Sequence, residues 1–396
     1  MQTTIIGFYV YELTHSKLAI ACIGLSEVIP AISIALYGGY VTDKSEKRKM
    51  LIVLCISALL TSIIVGFATS NQLFPILGVT GILGVGYAML FVTGILRAFF
   101  EPVLFTVFTT SVPPNVYANA GILNNFCWQS ASVIAPLTAG YLYAYGAKMI
   151  SGAAGISVTY GMILLLMTTL TILVTRLKKV YPEGAITENA RSSIKSGLRF
   201  VFQNKMMLYT MSLDMFSVLF GGVAALLPVY AIDILKTGAQ GVGLMRMAMS
   251  LGASLTMVAL VRFPPVSRPW RNLLITVMGF ALSIIGFGLS RSVLASLVFL
   301  FAQGAFDSIS VTIRTVLMQL LTPAAMRGRV SAINSMFISS SSEIGDLESG
   351  IAAQFLGTVP AVLFGGGLTL LIVIITFTKT RRFLSASIND IKINFH

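Results

Sequence analysis

The sequence predicts an all-α, polytopic membrane protein: twelve transmembrane helices in two six-helix bundles, with the first helix apparently truncated. Three observations predict it. Of 396 residues, 56% are hydrophobic and only 10% are charged, against about 25% in soluble domains. The mean hydropathy is +0.88, and 27 basic plus 14 acidic side chains are too few to cover a soluble core, which excludes a soluble enzyme. The apolar stretches are also long and unbroken, as from Met162 to Val174. A spanning helix needs about 20 such residues, whereas a membrane barrel reads as alternating segments of about 10. The third observation is the placement of the basic residues, which alternates from loop to loop.

The helices follow in order. Helix 1 covers residues 1–13 and ends at the polar run Thr14 to Lys17. Thirteen residues rise only about 20 Å, against a hydrocarbon core of about 30 Å, so the natural start is expected upstream. Helix 2 (18–41) closes on Gly38-Gly39 and a charged turn. Helix 3 (50–69) opens directly after that turn. Helix 4 (80–111) stops before Pro113, and Pro102 within it removes a backbone hydrogen bond and kinks it. Helix 5 (115–145) and helix 6 (153–175) complete the first half, and helix 6 runs into Arg176. Helix 7 (206–234) stops before Lys236, and helix 8 (241–262) before Pro264-Pro265. Helix 9 (272–290) follows Arg271, and helix 10 (293–321) stops before Pro323. Helix 11 (329–356) ends at Gly357, and helix 12 (359–378) at Lys379.

Residues 176–205 form the longest polar stretch and divide the helices six and six. The expected organisation is a first bundle at 1–177, a cytoplasmic linker at 178–205, a second bundle at 206–381 and a tail at 382–396. Within the linker, Ser192 to Phe202 has either the pattern of an amphipathic surface helix or that of a plain solvated connector. With the N-terminus placed in the cytoplasm, 20 of the 27 basic residues fall in inner loops and the tail, and four fall outside. That is a positive-inside bias. It predicts both termini in the cytoplasm and accounts for the net charge of +13 without nucleic acid.

A weak internal repeat supports the same division. With an offset of 210, residues 90–140 meet identical residues at ten of 51 positions, among them Gly94 with Gly304, Pro113 with Pro323 and Asn124 with Asn334. Repeated halves are a common way for transporters to build a site near the bilayer midplane.

The most specific motif joins helices 2 and 3: Gly38-Gly39-Tyr40-Val41-Thr42-Asp43-Lys44-Ser45-Glu46-Lys47-Arg48-Lys49. It resembles the signature loop of the major facilitator superfamily at Gly39, Asp43, Lys44, Lys47 and Arg48, while Val41, Thr42 and Glu46 depart from it. Tyr11 to Ser16, Gly24 to Pro30, Arg97 to Pro102 and Arg327 to Asn334 extend the likeness to drug and siderophore exporters of that superfamily. The antiporter motif of helix 5 is kept only in part, since Ala135 to Gly140 retains Pro136 and one glycine. The resemblance implies a gate at the motif, with Asp43 its central residue, and alternating access between two bundles.

Ionisable residues inside spans cost roughly 2.5–3.5 kcal/mol each on insertion scales, so they face a cavity or a partner. Arg97 and Glu101 lie four apart on helix 4, and Asp307 and Arg314 seven apart on helix 10, each pair on one face. Arg97 and Asp307 are repeat equivalents near midplane. Asp214, Glu343 and Asp346 add further carboxylates, and Glu12 adds one on helix 1. These residues are the candidate path for substrate or protons, with a structural ion pair as the competing role for each. Glu348 diverges in angle from Asp346, and Glu27 and Arg246 have no role that the sequence resolves. Cys22, Cys55 and Cys127 lie in apolar runs as packing residues, without metal spacing.

The expected function is proton-coupled export of a small organic molecule by a secondary transporter in the cell membrane, of the bacterial inner-membrane kind. A nutrient importer or uniporter of the same fold, and a receptor or assembly factor that has lost transport, are the alternatives. The expected partners are the substrate, protons and membrane lipids, on a monomer, with no cofactor, no metal and no nucleic acid.

Overall fold

The protein is described here from a computed structural model covering residues 1–69, 74–111, 117–149, 154–177, 198–263, 267–322 and 327–384. Twelve spans can be followed: α1 (Gln2–Thr14), α2 (Lys17–Lys44), α3 (Lys47–Ala68), α4 (Phe74–Ser111), α5 (Tyr117–Met149), α6 (Ala154–Thr175), α7 (Lys205–Phe220), α8 (Gly238–Arg262), α9 (Pro269–Leu289), α10 (Val293–Leu321), α11 (Arg327–Leu356) and α12 (Thr358–Lys379). Nine of the described helices are long and apolar enough to cross a membrane. The three that are not are α1, which is short, and α5 and α11, which are long but polar. α5 and α11 are counterparts in the repeat.

Local chemistry explains several boundaries. Ser16 caps α2, its side chain accepting from the Ala19 N–H. Asn204 caps α7 through the Met207 N–H. Each satisfies a donor that a helix start leaves free. α1 ends where His15 takes a left-handed conformation, φ 48°. Gly78, at φ 60°, breaks the start of α4, so the regular part begins close to the expected residue 80. Residues 198–203 are helical, within the stretch read as an amphipathic helix. Residues 178–197 of the linker, Pro113, Pro323 and the tail beyond 384 lie outside the described residues.

The seventh span differs from expectation. It is not continuous over 206–234. α7 stops at Phe220, residues 221–223 leave the helix, and the chain resumes through a short 3₁₀ turn (Ala224–Leu226), a single α turn (Leu227–Val229) and a π segment (Tyr230–Ile234). The break lies where α7 meets α11. A Cβ on Gly222 would come within 2.9 Å of the Gly345 carbonyl oxygen, and one on Gly345 within 2.6 Å of the Leu219 carbonyl oxygen. Two glycines thus let the backbones touch at the point where α7 loses its regular hydrogen bonds.

The chain divides into two compact units: residues 1–187 with 237–243, and residues 188–236 with 244–396. In the first, α4 packs on α2 and α3, α6 on α3 and α5, and α1 on α2 and α5. In the second, α9 packs on α10 and α12, α11 on α7 and α12, and α7 on α12 and α10. Adding six to the helix numbers of the α3–α4, α3–α6, α5–α6 and α1–α5 packings gives α9–α10, α9–α12, α11–α12 and α7–α11, which the second unit also has. Leu51, Leu54 and Cys55 of α3 pack with Val103 and Val174 in one core. Trp270, Met206, Leu273, Ile313, Leu317 and Val373 anchor the other. Cys55 is a buried packing residue as expected, whereas Cys127 is exposed on α5. Large apolar side chains such as Phe67, Val258, Leu294 and Phe355 stand exposed, which suits helices surrounded by hydrocarbon.

Candidate functional site

The charged motif between α2 and α3 is almost wholly helical. α2 runs to Lys44 and α3 begins at Lys47, so the joint is only Ser45-Glu46 rather than a loop over 42–49. The last turn of α2 leaves carbonyls without partners. Lys47 is fully buried, and its ammonium donates to the Thr42 carbonyl. Arg48 reaches α6, where its guanidinium donates to the Thr175 carbonyl. Two neighbouring cations therefore close the ends of two helices, where the macrodipole favours positive charge. Glu46 pairs with Lys49 at 3.2 Å. The side chains of Asp43 and Lys44, and the surroundings of Gly39, lie outside the described residues.

A buried lysine held this way makes a specific prediction. Lys47→Met keeps the stem and removes the donor. It is expected to destabilise the protein by about 1–3 kcal/mol through the uncapped carbonyl, seen as a lower thermal midpoint in detergent. An unchanged midpoint would show that the ammonium does no capping.

Within the first unit, Arg97 of α4 pairs with Glu27 of α2 at 3.4 Å. Glu27, to which the sequence assigned no role, is thus a partner of Arg97. The expected neighbour Glu101 has its side chain outside the described residues. Gly94, one turn before Arg97, lies against the Glu27 backbone so closely that a Cβ would collide with its carbonyl oxygen. Glu12 of α1 accepts a hydrogen bond from the Tyr143 hydroxyl of α5, and Tyr143 stacks edge-on against Phe8 with ring centroids 5.1 Å apart. The Tyr9 hydroxyl beside them is buried without a partner.

The second unit holds three charged loci at different depths. Nearest the end that carries Lys205 is an ion pair between Asp214 of α7 and Arg314 of α10, both more than nine-tenths buried. The Arg314 Nε also donates to the Ser310 carbonyl at 3.3 Å. Arg314 shares a helical face with Asp307, as the spacing predicted, yet its partner is Asp214. Further along, Asp346 of α11 interacts with the Ala225 N–H, just past the break in the seventh span, and lies within electrostatic reach of Arg246 of α8. Arg246 thereby acquires a partner that no spacing rule connects to it. Glu348 interacts with its neighbour Ser349. Glu343 has its side chain outside the described residues.

Asp307 is the third locus. It lies 14 residues from each end of α10, about 21 Å by helical rise, which is the middle of the span. Its carboxylate makes no ion pair or hydrogen bond among the described residues. Two neighbours are also unsatisfied: the side-chain carbonyl of Gln303, four residues earlier, and the hydroxyl of Ser308, both buried. A charged group at midspan without a partner needs water, a proton or a ligand to offset its desolvation.

Comparison with known proteins shows which family and fold the chain resembles. Residues 1–346 match the profile of the Major Facilitator Superfamily. The Enterobactin exporter EntS of Citrobacter koseri is 26% identical over 393 residues, spanning 94% of this chain and 86% of the relative. The protein of the same name from Shigella flexneri is 24% identical over 368 residues, spanning 87% and 80%. Among solved structures, a D-xylose-proton symporter superposes with a TM-score of 0.70 at 14% identity, covering 97% of this chain and 89% of that one. A bacterial homologue of the human lysosomal transporter Spinster, inward-facing and unoccupied, gives 0.63 at 13% identity over 98% and 95%. At such identities the structural likenesses speak to the fold.

Proposed function

The chain belongs to the major facilitator superfamily, and on that premise we propose that it exports a small organic molecule across the bacterial inner membrane in exchange for protons. The observation that carries the reading is Asp307: a carboxylate at the middle of α10 without a partner among the described residues, in a unit where Asp214 is paired with Arg314 and Asp346 lies within electrostatic reach of Arg246. Protonation removes the burial penalty of such a group, and so changes which orientation of the transporter is favoured. The direction and the class of cargo rest on the relatives named as enterobactin exporters, which make siderophore-type molecules the first substrates to test. The positive-inside bias supports a cytoplasmic location for both termini. The two bundles with their linker, acting as a monomer, are the moving parts, and neither metal nor cofactor enters the cycle.

The test is transport by sealed vesicles with an imposed pH gradient. Accumulation of candidate molecules inside the vesicles against their own gradient, driven by protons flowing outward, is expected. Accumulation driven instead by co-movement of substrate and protons would reverse the assignment to import.

Asp43 is read as the centre of the gate, through the family motif and the capped helix ends beside it. Asp43→Asn is expected to slow turnover at least tenfold while leaving equilibrium substrate affinity within about threefold, because the motif is far from midspan. Affinity and turnover measured on one preparation check this, and a collapse of affinity with turnover intact would place Asp43 in the substrate site.

A further inference from the structure

Among the described residues, Arg97, Arg246 and Arg314 are the arginines that lie deep within a span. Arg97 has Glu27 within ion-pair distance, and Arg314 has Asp214. Arg246 has no ion pair and no hydrogen bond among the described residues. Its Nε is buried without an acceptor. Its two terminal nitrogens are unpartnered as well but are not covered, and the residue as a whole is half-buried. Arg246 stands eight residues into α8, about 12 Å by helical rise. An unpaired cation at that depth is costly in hydrocarbon, so the open end of the guanidinium belongs to an aqueous space.

The acid within its electrostatic reach is Asp346 of α11. Successive spans alternate in direction, so α11 ends on the side where α8 begins. Asp346 lies ten residues before that end, about 15 Å by helical rise, at a depth matching Arg246. Its carboxylate is engaged elsewhere. Gly222 lies against Gly345 and Ser349, and the seventh span resumes at Ala224 after its break. Restarting a helix leaves N–H groups without carbonyls. The Ala225 N–H is one of these, and Asp346 interacts with it. Asp346 therefore balances Arg246 in charge without occupying its hydrogen-bonding fork.

We propose that Arg246 binds the acidic group of the cargo, an organic carboxylate, and that Asp346 is a standing counter-charge limiting how tightly that group is held. The inference names a substrate class for the transporter proposed above and rests on that reading. A guanidinium fork meets a carboxylate through two parallel hydrogen bonds. One guanidinium with an acid near it suits a monoanion. Multiply charged groups such as phosphates ask for further cations, and Arg314, the other deep arginine of this unit, is already paired. The competing role is a structural charge pair between α8 and α11. The two roles differ in what the loss of Asp346 does.

The test is calorimetric binding of benzoate and of its uncharged analogue benzamide to the purified full-length protein in detergent, at constant pH and ionic strength. Benzoate should bind the wild type about tenfold more tightly than benzamide. Arg246→Lys keeps the charge and loses the fork, and should weaken benzoate by about tenfold while leaving benzamide unchanged. Arg246→Gln with Asp346→Asn leaves no unpaired charge to threaten folding, and this variant should not distinguish the two probes. Asp346→Asn keeps an acceptor for the Ala225 N–H and removes the counter-charge, so benzoate should tighten by on the order of tenfold. A purely structural pair predicts that Asp346→Asn holds benzoate no more tightly than the wild type does, and that result overturns the proposal. Equal affinity of the wild type for the two probes also overturns it, as does the absence of benzoate binding from both the wild type and Asp346→Asn. Neither protons nor transport enter the assay. Selective benzoate binding by a protein that accumulates nothing in vesicles would reject the exporter reading and leave the role of Arg246 standing. Transport of neutral molecules by a protein that does not bind benzoate would do the opposite.

Discussion

Replacing Arg314 by leucine is expected to destabilise the protein by about 3–5 kcal/mol, among the largest effects of any single substitution in the chain. The reason is the carboxylate it leaves behind. Asp214 is 6% exposed, on the helix that gives Met206, Met207, Met211 and Leu213 to the apolar core of the second unit. Taking both charges out of water is expensive, and their mutual attraction offsets that only while both are present. Removing one partner exposes the full penalty, while removing both does not. Asp214→Leu with Arg314→Leu is therefore expected to unfold within about 1–2 kcal/mol of the wild type. Thermal and denaturant unfolding of the three variants in one detergent measures this. A single variant as stable as the wild type would mean that Asp214 has water or another partner. The double variant also separates two roles. Retained transport marks the pair as a brace between α7 and α10, and abolished transport in a stable protein returns both residues to the substrate path.

The second large effect is functional. Asp307→Asn keeps the shape of the side chain and imitates its protonated form. Without a charge to gain and lose, the variant has no means of linking proton release to the orientation of the helices. Substrate accumulation driven by a pH gradient is expected to fall at least a hundredfold, while exchange of labelled for unlabelled substrate, which needs no net proton movement, should continue at a measurable rate. Folding should be unharmed, because asparagine avoids the cost of burying a charge at midspan. Vesicles loaded with substrate and assayed both ways on one preparation give the two numbers together. Unchanged gradient-driven accumulation removes Asp307 from coupling. Loss of both activities in a folded protein would make Asp307 a direct substrate contact.

The twelve spans were legible because lipid imposes a simple rule: a helix must be long and apolar, and the turns between helices carry charge or proline. The repeat was legible where it preserved a backbone requirement, as at Gly94 and Gly304, whose missing side chains permit the same close crossing in both units. The break in the seventh span was not. Gly221-Gly222 stands in an apolar run that reads as unbroken, and the contact at the break is with Gly345, more than a hundred residues away. Ion pairs were legible only as a supply of charges. Helical spacing showed that Arg314 and Asp307 share a face, but the partner was chosen by α7, which brings Asp214 across. The Arg97–Glu27 pair and the nearness of Arg246 to Asp346 were hidden for the same reason. The cations of the motif were legible from the family pattern. That Lys47 closes α2 and Arg48 closes α6 followed only from where those helices end.

The central claim is that substrate and protons move in opposite directions through one coupled cycle. The most direct measurement is the proton itself. Purified protein in weakly buffered liposomes is supplied with substrate on one side, with no pH gradient imposed, and internal pH is followed by a trapped dye. The account predicts a pH change that begins with substrate addition, has the sign of protons leaving the compartment that substrate enters, and is absent from Asp307→Asn vesicles. Substrate movement at the normal rate with internal pH unchanged would contradict it.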